Sequence, residues 1–372
     1  MRRKLAFKLQ KRIHNINQTS ETPSKTNVLL VATKHELSET QMYPFYWYQK
    51  ALKQQHGIQF CEIDTGALHH ETMNLKSSPS HQYNNIKRIF FQAEFEMPDD
   101  ALKASLEYLQ KVYPQAKIAF MDWYAPLHIR PAMVANEYID LYIKKHSYRD
   151  FSVYNKPTIG DTNLSDYYAQ RHHLNLPSMQ FTASEGLEDK MTLWSNFGFS
   201  PQMMDLFLGD FKYQNDRSID LHARLAVNGV DWYKSMRQES KKAVDNLSIP
   251  NLNIAANGRV KRYKFVQEMT QSKLCFSPFG YGEVCWRDYE SFATGALLLK
   301  PNMDHLMVDP DIFIPNETYI SLEWDLSDFE DKIKEYYQNP KECERIAKNA
   351  FDIMHQSVSN HSILDQIVKI VN

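Results

Sequence analysis

From Ser277 the chain reads Ser-Pro-Phe-Gly-Tyr-Gly-Glu-Val-Cys-Trp-Arg-Asp-Tyr-Glu-Ser-Phe-Ala-Thr-Gly-Ala. Gly280 and Gly282, with Tyr281 between them, form a turn whose backbone can approach a ligand closely. The spacing then predicts a helix from about Arg287 to Thr294. The first amides and the dipole of such a helix favour an anion. Arg287 adds a guanidinium able to grip phosphate oxygens in pairs. Glu290, three residues on, shares its helix face, and a carboxylate there can accept two hydrogen bonds from a ribose diol. A nucleoside diphosphate meets all of these requirements. Taken singly, each feature has an ordinary explanation: glycines two apart mark turns, and an Arg and Glu at this spacing commonly form a surface ion pair. Arg224, Arg259, Lys261 and Arg262 are further cations for the phosphates.

The elements that must position these residues follow from the apolar pattern. Lys273–Ser277 predicts a strand ending where the loop begins, and ligands of parallel sheets lie beyond such strand ends. Gly295 predicts a helix C-terminus. Ala296–Leu299 predicts the next strand, closed by Pro301. Ser218–Val227 and Leu252–Ala256 predict further strands, with helices at Asp231–Leu247 and Lys261–Thr270. A capping box of Ser327 with Glu330 predicts a helix to Tyr337, and two more helices finish the chain. An earlier alternation has strands at Asn27–Ala32, Ile58–Ile63, Ile86–Gln92, Lys117–Met121 and Tyr138–Ile143. Helices are predicted at Pro44–Gln55, with Pro44 in the first turn, and at Pro98–Val112. Phe151–Asp216 shows no clear periodicity and predicts irregular structure. Strands alternating with helices predict an α/β chain of two doubly wound, Rossmann-like domains facing a cleft. The expected division is a basic segment and linker over 1–26, a first domain over 27–205, a second over 206–350, and a C-terminal helix over 351–372 packing back on the first domain.

The segment from Ser277 to Leu299 resembles the nucleotide-sugar site of the exostosin family and of related bacterial GT-B glycosyltransferases. The shared pattern is Ser277-Pro278, Gly280, Gly282, Arg287, Glu290 and Gly295 before a hydrophobic strand. The similarity runs from about Ser218 to Tyr337. Cys285 departs from it, standing where a serine is usual. The resemblance implies a GT-B fold and transfer of a sugar from a nucleotide-sugar donor to a hydroxyl of a glycan or lipid-linked acceptor, in surface polysaccharide synthesis. Glu290 would hold the donor ribose, and Arg287 with the Gly280–Gly282 backbone would face the diphosphate. No metal or other cofactor is expected beyond the donor substrate. A nucleotide-sugar epimerase on the same frame, or a non-catalytic glycan- or nucleotide-binding protein, are the alternatives.

An inverting transfer needs a base for the acceptor hydroxyl, drawn from the first domain. Asp122, after the strand Lys117–Met121 and beside Trp123 and Tyr124, is the leading candidate. It could equally cap the following helix. His35 and Glu36, after the first strand, come next, ahead of Asp64, Glu94 and Glu96. Asp304 and His305 are expected beside the donor, or as ordinary loop residues. The adjacent pairs His69-His70 and His172-His173 make poor metal ligands, because neighbouring strand side chains point apart.

Composition narrows the class. The 372 residues suit two domains, and the net charge of −2 gives no field to attract nucleic acid. No apolar run approaches the roughly 20 residues that span a bilayer. The four cysteines have neither disulfide-framework nor metal-ligand spacing, which suggests a reducing, cytoplasmic setting. Within residues 1–15, Arg2, Arg3, Lys4, Lys8, Lys11 and Arg12 occur without an acid, while Leu5, Leu9 and Ile13 repeat at helical spacing. This is the pattern of a helix lying on an anionic membrane surface, of a solvated terminus, or of a transit peptide.

Overall fold

The computed structural model of the protein describes residues 26–66, 68, 85–213, 216–229, 231–360 and 362–372. The basic segment 1–15, most of the linker that follows it, and His69-His70 lie outside them.

The first half contains strands β1 (Thr26–Ala32), β2 (Ile58–Asp64), β3 (Ile86–Phe91), β4 (Lys117–Asp122), β5 (Leu141–Lys144) and β6 (Met191–Leu193) in a single sheet of order β2-β1-β3-β4-β5-β6. Every pairing in it is parallel. Val28–Val31 and Ile89–Phe91 are fully buried, as a sheet covered on both faces requires. The second half repeats the plan. Strands β7 (Ile219–Ala223), β8 (Ile254–Ala256), β9 (Ser272–Phe276), β10 (Leu297–Pro301) and β11 (Ile320–Leu322) form a parallel sheet of order β8-β7-β9-β10-β11. In each sheet the order reverses beside the first strand, so a crevice opens above β1 and β3 and another above β7 and β9.

Helices in the first half are α1 (Glu39–Trp47), α2 (Gln49–His56), α3 (Asp99–Val112), α4 (Arg130–Ala135) and α5 (Asn163–Arg171). In the second they are α6 (Asp231–Asp245), α7 (Arg262–Thr270), α8 (Trp286–Thr294), α9 (Phe329–Tyr336), α10 (Pro340–Ser359) and α11 (Ser362–Val371). Gly295 ends α8 with φ of 73°, the left-handed cap that its sequence position predicts.

Three local expectations differ from the structure. Pro44 lies inside α1 rather than opening it, because the helix begins at Glu39 and breaks at Tyr48 before α2. Ser327 does not cap α9. Asp328 is the N-cap residue and makes no side-chain cap bond, while Glu330 binds the Ser248 amide and Lys334 instead. The stretch 151–216, expected to be irregular, contains α5, opened by a Thr162–Ser165 capping box, and the sheet strand β6.

The two halves are joined by more than the chain. His146–Tyr148 pairs antiparallel with Leu306–Val308, and Asn196 Nδ2 donates to the Asp309 carbonyl at 2.7 Å. Helix α11 packs on α1 and α2 of the first half. There Arg88 donates to the Val371 carbonyl at 3.4 Å, and the Tyr48 hydroxyl donates to that of Val358 at 3.2 Å. One apolar core therefore runs from the first sheet to Tyr289 and Phe292 of α8 and to Met354 and Ile367 of α10 and α11, beside a separate core around β7, β9 and β10.

Candidate functional site

Helix α8 starts just past the carboxyl end of β9. Cys285 caps it: its thiol accepts the Asp288 amide, and the Asp288 carboxylate in return accepts the Cys285 amide at 2.8 Å. The sulfur thus fills a capping role that a serine hydroxyl commonly takes. Burial pushes the Cys285 thiol's pKa up, so it stays protonated. Asp288 is buried and also takes the Ser277 hydroxyl at 2.6 Å and the Lys300 ammonium at 3.1 Å. Among the described residues, the amides of Trp286 and Arg287 in the first turn meet no protein acceptor. The helix start therefore keeps donors and partial positive charge for another group.

Arg287 and Glu290 do not pair with each other. Arg287 donates to the carbonyls of Phe276 and Arg224 at 3.2 and 2.5 Å, and among the described residues its Nε has no hydrogen-bond partner. It ties together the ends of β7 and β9, and its positive charge meets no carboxylate partner among the described residues. Glu290 is 5% exposed and is ion-paired to Arg262 from α7. Arg224 is committed elsewhere: Glu268 accepts from it on both oxygens, and the carbonyls of Ala256 and Asn257 accept as well. Its charge is neutralised inside the protein, which corrects its assignment as a phosphate ligand. Lys261 is exposed at the start of α7.

The glycines act differently from expectation. Gly280 donates to the Gly282 carbonyl at 3.0 Å, closing the turn. A Cβ on Gly282 would lie 1.9 Å from the Ala125 carbonyl oxygen. The close approach that needs glycine here is to the backbone of the first domain, not to a ligand. Tyr281 is half-exposed and stacks on Tyr233 with ring centroids 4.0 Å apart.

Across the cleft, Asp122 is no general base. It is 1% exposed; one oxygen accepts the Tyr124 amide at 3.0 Å, and the other accepts the Tyr142 hydroxyl at 2.7 Å and the Lys144 ammonium at 2.6 Å. A carboxylate so enclosed is a structural anchor. His35 is exposed and stacked on Trp123 at 4.7 Å, beside the equally exposed Glu36. The His35 Nδ1 accepts the Leu37 amide at 3.2 Å, so the neutral ring carries its proton on Nε2. Partial burial lowers its pKa, and the nearby Lys145 adds to this against the opposing pull of Glu36.

Two residues passed over in the sequence stand out. Glu283, in the glycine turn, is fully buried, and among the described residues neither carboxylate oxygen accepts a hydrogen bond. His305 Nε2 lies 3.5 Å from it and His146 Nε2 3.8 Å, one from each half of the chain. His305, just before the strand Leu306–Val308, therefore turns inward to this carboxylate, whereas Asp304 is exposed and binds Asn302. Lys145, also buried, has no hydrogen-bond partner on its ammonium among the described residues. The only sequence signal was a Lys-Lys-His run at the end of a strand, which reads as a solvated surface. Among the described residues, no group of three or more His, Cys, Asp or Glu is arranged to hold a metal ion, and no helix is long and apolar enough to cross a membrane.

Two parallel sheets facing one another across such a cleft define the GT-B fold. The full fold is similar to a glycosyltransferase from Rickettsia africae ESF-5, at 11% identity and a TM-score of 0.51 over 93% of this chain and 98% of that one. It is similar to the sucrose-phosphate synthase of Thermosynechococcus elongatus, with 11% identity, a TM-score of 0.50 and the same coverage. Residues 214–369 match the family model described as glycosyl transferase-like. The chain thus has the GT-B fold, and its match to the glycosyl transferase-like model lies in its second half. Neither structural likeness is to an exostosin, so the resemblance stands at this broader level. No curated protein matches the sequence.

Proposed function

We propose that the protein is a glycosyltransferase that moves a sugar from a nucleoside diphosphate sugar to a hydroxyl group of a glycan or lipid-linked acceptor. The observation that carries this reading is the open start of α8: among the described residues, two first-turn amides have no acceptor and no carboxylate neutralises the neighbouring Arg287, one turn before the carboxylate of Glu290. The diphosphate takes the amides and the Arg287 charge. Glu290 keeps one oxygen on Arg262 and offers the other to the ribose diol. As the sugar departs, negative charge grows on the leaving diphosphate, beside the positive end of the helix dipole and the nearby charge of Arg287, so they stabilise the transition state more than the ground state. Closing the cleft excludes water and suppresses donor hydrolysis.

On the acceptor side, His35 presents an N–H rather than a lone pair, which leaves the Glu36 carboxylate on the same loop to take the hydroxyl proton. Lys261 and Arg262, at the start of α7, form the cationic edge of the donor side, with Tyr281 exposed beside the turn. A role in surface polysaccharide synthesis, at the cytoplasmic face of a membrane reached by the basic segment 1–15, fits an acceptor carried on lipid.

The test is a thermal-shift panel of nucleoside diphosphates and their sugars, followed by transfer assays with the ligands that bind. A ligand at a hundred times its dissociation constant adds about 2.7 kcal/mol of stability. A rise with at least one nucleotide, reduced in Glu290→Gln, is expected; no rise with any of them contradicts the reading.

A further inference from the structure

Lys144 and Lys145 are neighbours at the end of β5, yet their surroundings are opposite. Successive strand side chains face opposite ways. Lys144 turns to Asp122 and to the His128 carbonyl, at 2.6 and 3.0 Å. Lys145 turns the other way. It is 3% exposed, its ammonium has no hydrogen-bond partner among the described residues, and it lies 4.7 Å from the centre of the Phe197 ring. Phe197 in turn packs at 4.7 Å on Trp286, the first residue of α8. The Lys145 side chain therefore comes from the first domain to the helix start of the second.

The electrostatics there are one-sided. The start of α8 carries partial positive charge and open amides, and Arg287 has no carboxylate partner. The titratable groups acting on Lys145 are Asp122 and Lys144 on its own sheet, His146 beside it, His35 from the loop after β1, and the Cys285 thiol of the helix cap. The one carboxylate among them, Asp122, is spent on Lys144 and Tyr142. A buried ammonium without a counter-ion is costly, and a positive helix end facing it adds to that cost. A bound anion relieves both.

We propose that Lys145 is the contact of the first domain to the donor, its ammonium binding the diphosphate oxygens from across the cleft while α8 and Arg287 hold them from the second domain. This rests on the donor reading above and adds to it a residue of the opposite wall, so that the two domains close on the same anion. It also makes donor binding proton-linked. Burial pushes the free Lys145 amine's pKa down to about 7, with the nearby Lys144 pushing the same way against Asp122. The diphosphate favours the charged form, so the complex takes up a proton above that pH.

The experiment is calorimetric titration of the full chain with UDP, GDP, ADP and CDP between pH 7.5 and 9, in buffers of different ionisation enthalpy. This window lies above the second ionisation of a phosphate, about pH 6, so the ligand itself hardly titrates. The expected result is uptake approaching one proton per nucleotide, with affinity falling up to about tenfold per pH unit. Lys145→Met should bind at least about tenfold more weakly at pH 7.5, with no proton uptake, and should melt no lower than the wild type because a buried unpaired charge is gone. Lys145→Arg should restore affinity without the pH slope, since arginine stays charged throughout. If the wild type binds a nucleotide without proton uptake and Lys145→Met binds it equally well, this assignment is wrong and the donor reading survives. If no nucleotide binds, the donor reading falls and takes this assignment with it.

Discussion

The Arg262 guanidinium closes on the Glu290 carboxylate and so ties the first residue of α7 to the second turn of α8. It holds the carboxylate in place at the crevice above β7 and β9. Arg262 is about a third exposed, so the pair adds little to stability, about 1 kcal/mol at most. Its value lies in orientation. Arg262→Ala should change the unfolding free energy by less than about 1 kcal/mol. Glu290→Gln should fold normally and weaken nucleoside diphosphate binding by about 10- to 100-fold, the cost of losing charge-assisted bonds to the ribose. Titration of both variants beside chemical denaturation checks this; equal binding by Glu290→Gln and wild type would refute it.

Asp122 and Lys144 form a fully buried pair with the Tyr142 hydroxyl. Asp122→Ala leaves a buried ammonium uncompensated and should cost about 3–5 kcal/mol. Adding Lys144→Met should recover much of that loss. Urea denaturation of the single and double variants measures both. Were Asp122 a base, the single variant would keep its stability and lose only turnover.

Gly282 meets the Ala125 carbonyl where the halves touch, at a spacing that leaves no room for a methyl group. Gly282→Ala must displace backbone and should destabilise by about 1–3 kcal/mol while impairing donor binding. Gly280→Ala, whose nearest neighbours would be the Cys285 sulfur at 3.3 Å and the Gly282 carbonyl oxygen at 3.5 Å, should be milder. Melting temperatures of the two variants give the ranking, and the reverse order would contradict the packing described.

His146 is buried and its pKa is held well below the usual 6.5, first by burial and then by Lys145 and Lys144. His222 is lowered to about 3 by burial and by Arg287. Folded, both stay neutral; unfolded, both bind a proton below about pH 6.5. The unfolded state therefore holds more protons in acid, and stability should fall as pH drops from about 6.5 toward 4. His146→Gln should make that fall shallower. A denaturation series across this range tests it, and an unchanged slope in the variant would count against a neutral, buried His146.

The sheets were legible in the sequence because fully buried parallel strands leave continuous apolar runs, as at Val28–Val31 and Leu297–Leu299. Strand β6 was not, since its three residues, with Thr192 in the middle, are too short for such a run. The helix start at Trp286 and its end at Gly295 followed from local chemistry. The partners of the site residues did not: Glu290 finds Arg262 from 28 positions away, and Arg224 is neutralised by Glu268, 44 positions on. Asp122 reads as a cleft acid until Lys144, on the neighbouring strand, claims it. Lys145 and Glu283 read as surface charges because their burial arises only when the second domain covers the strand ends of the first. Local rules reach the elements, whereas the pairing of charges is a tertiary fact.

The decisive measurement is a crystal structure of the protein with a bound nucleoside diphosphate. Phosphate oxygens should lie on the amides of Trp286 and Arg287, and the ribose diol on Glu290. A nucleotide seated away from the start of α8, or one whose ribose leaves Glu290 paired with Arg262 alone, would contradict the donor reading.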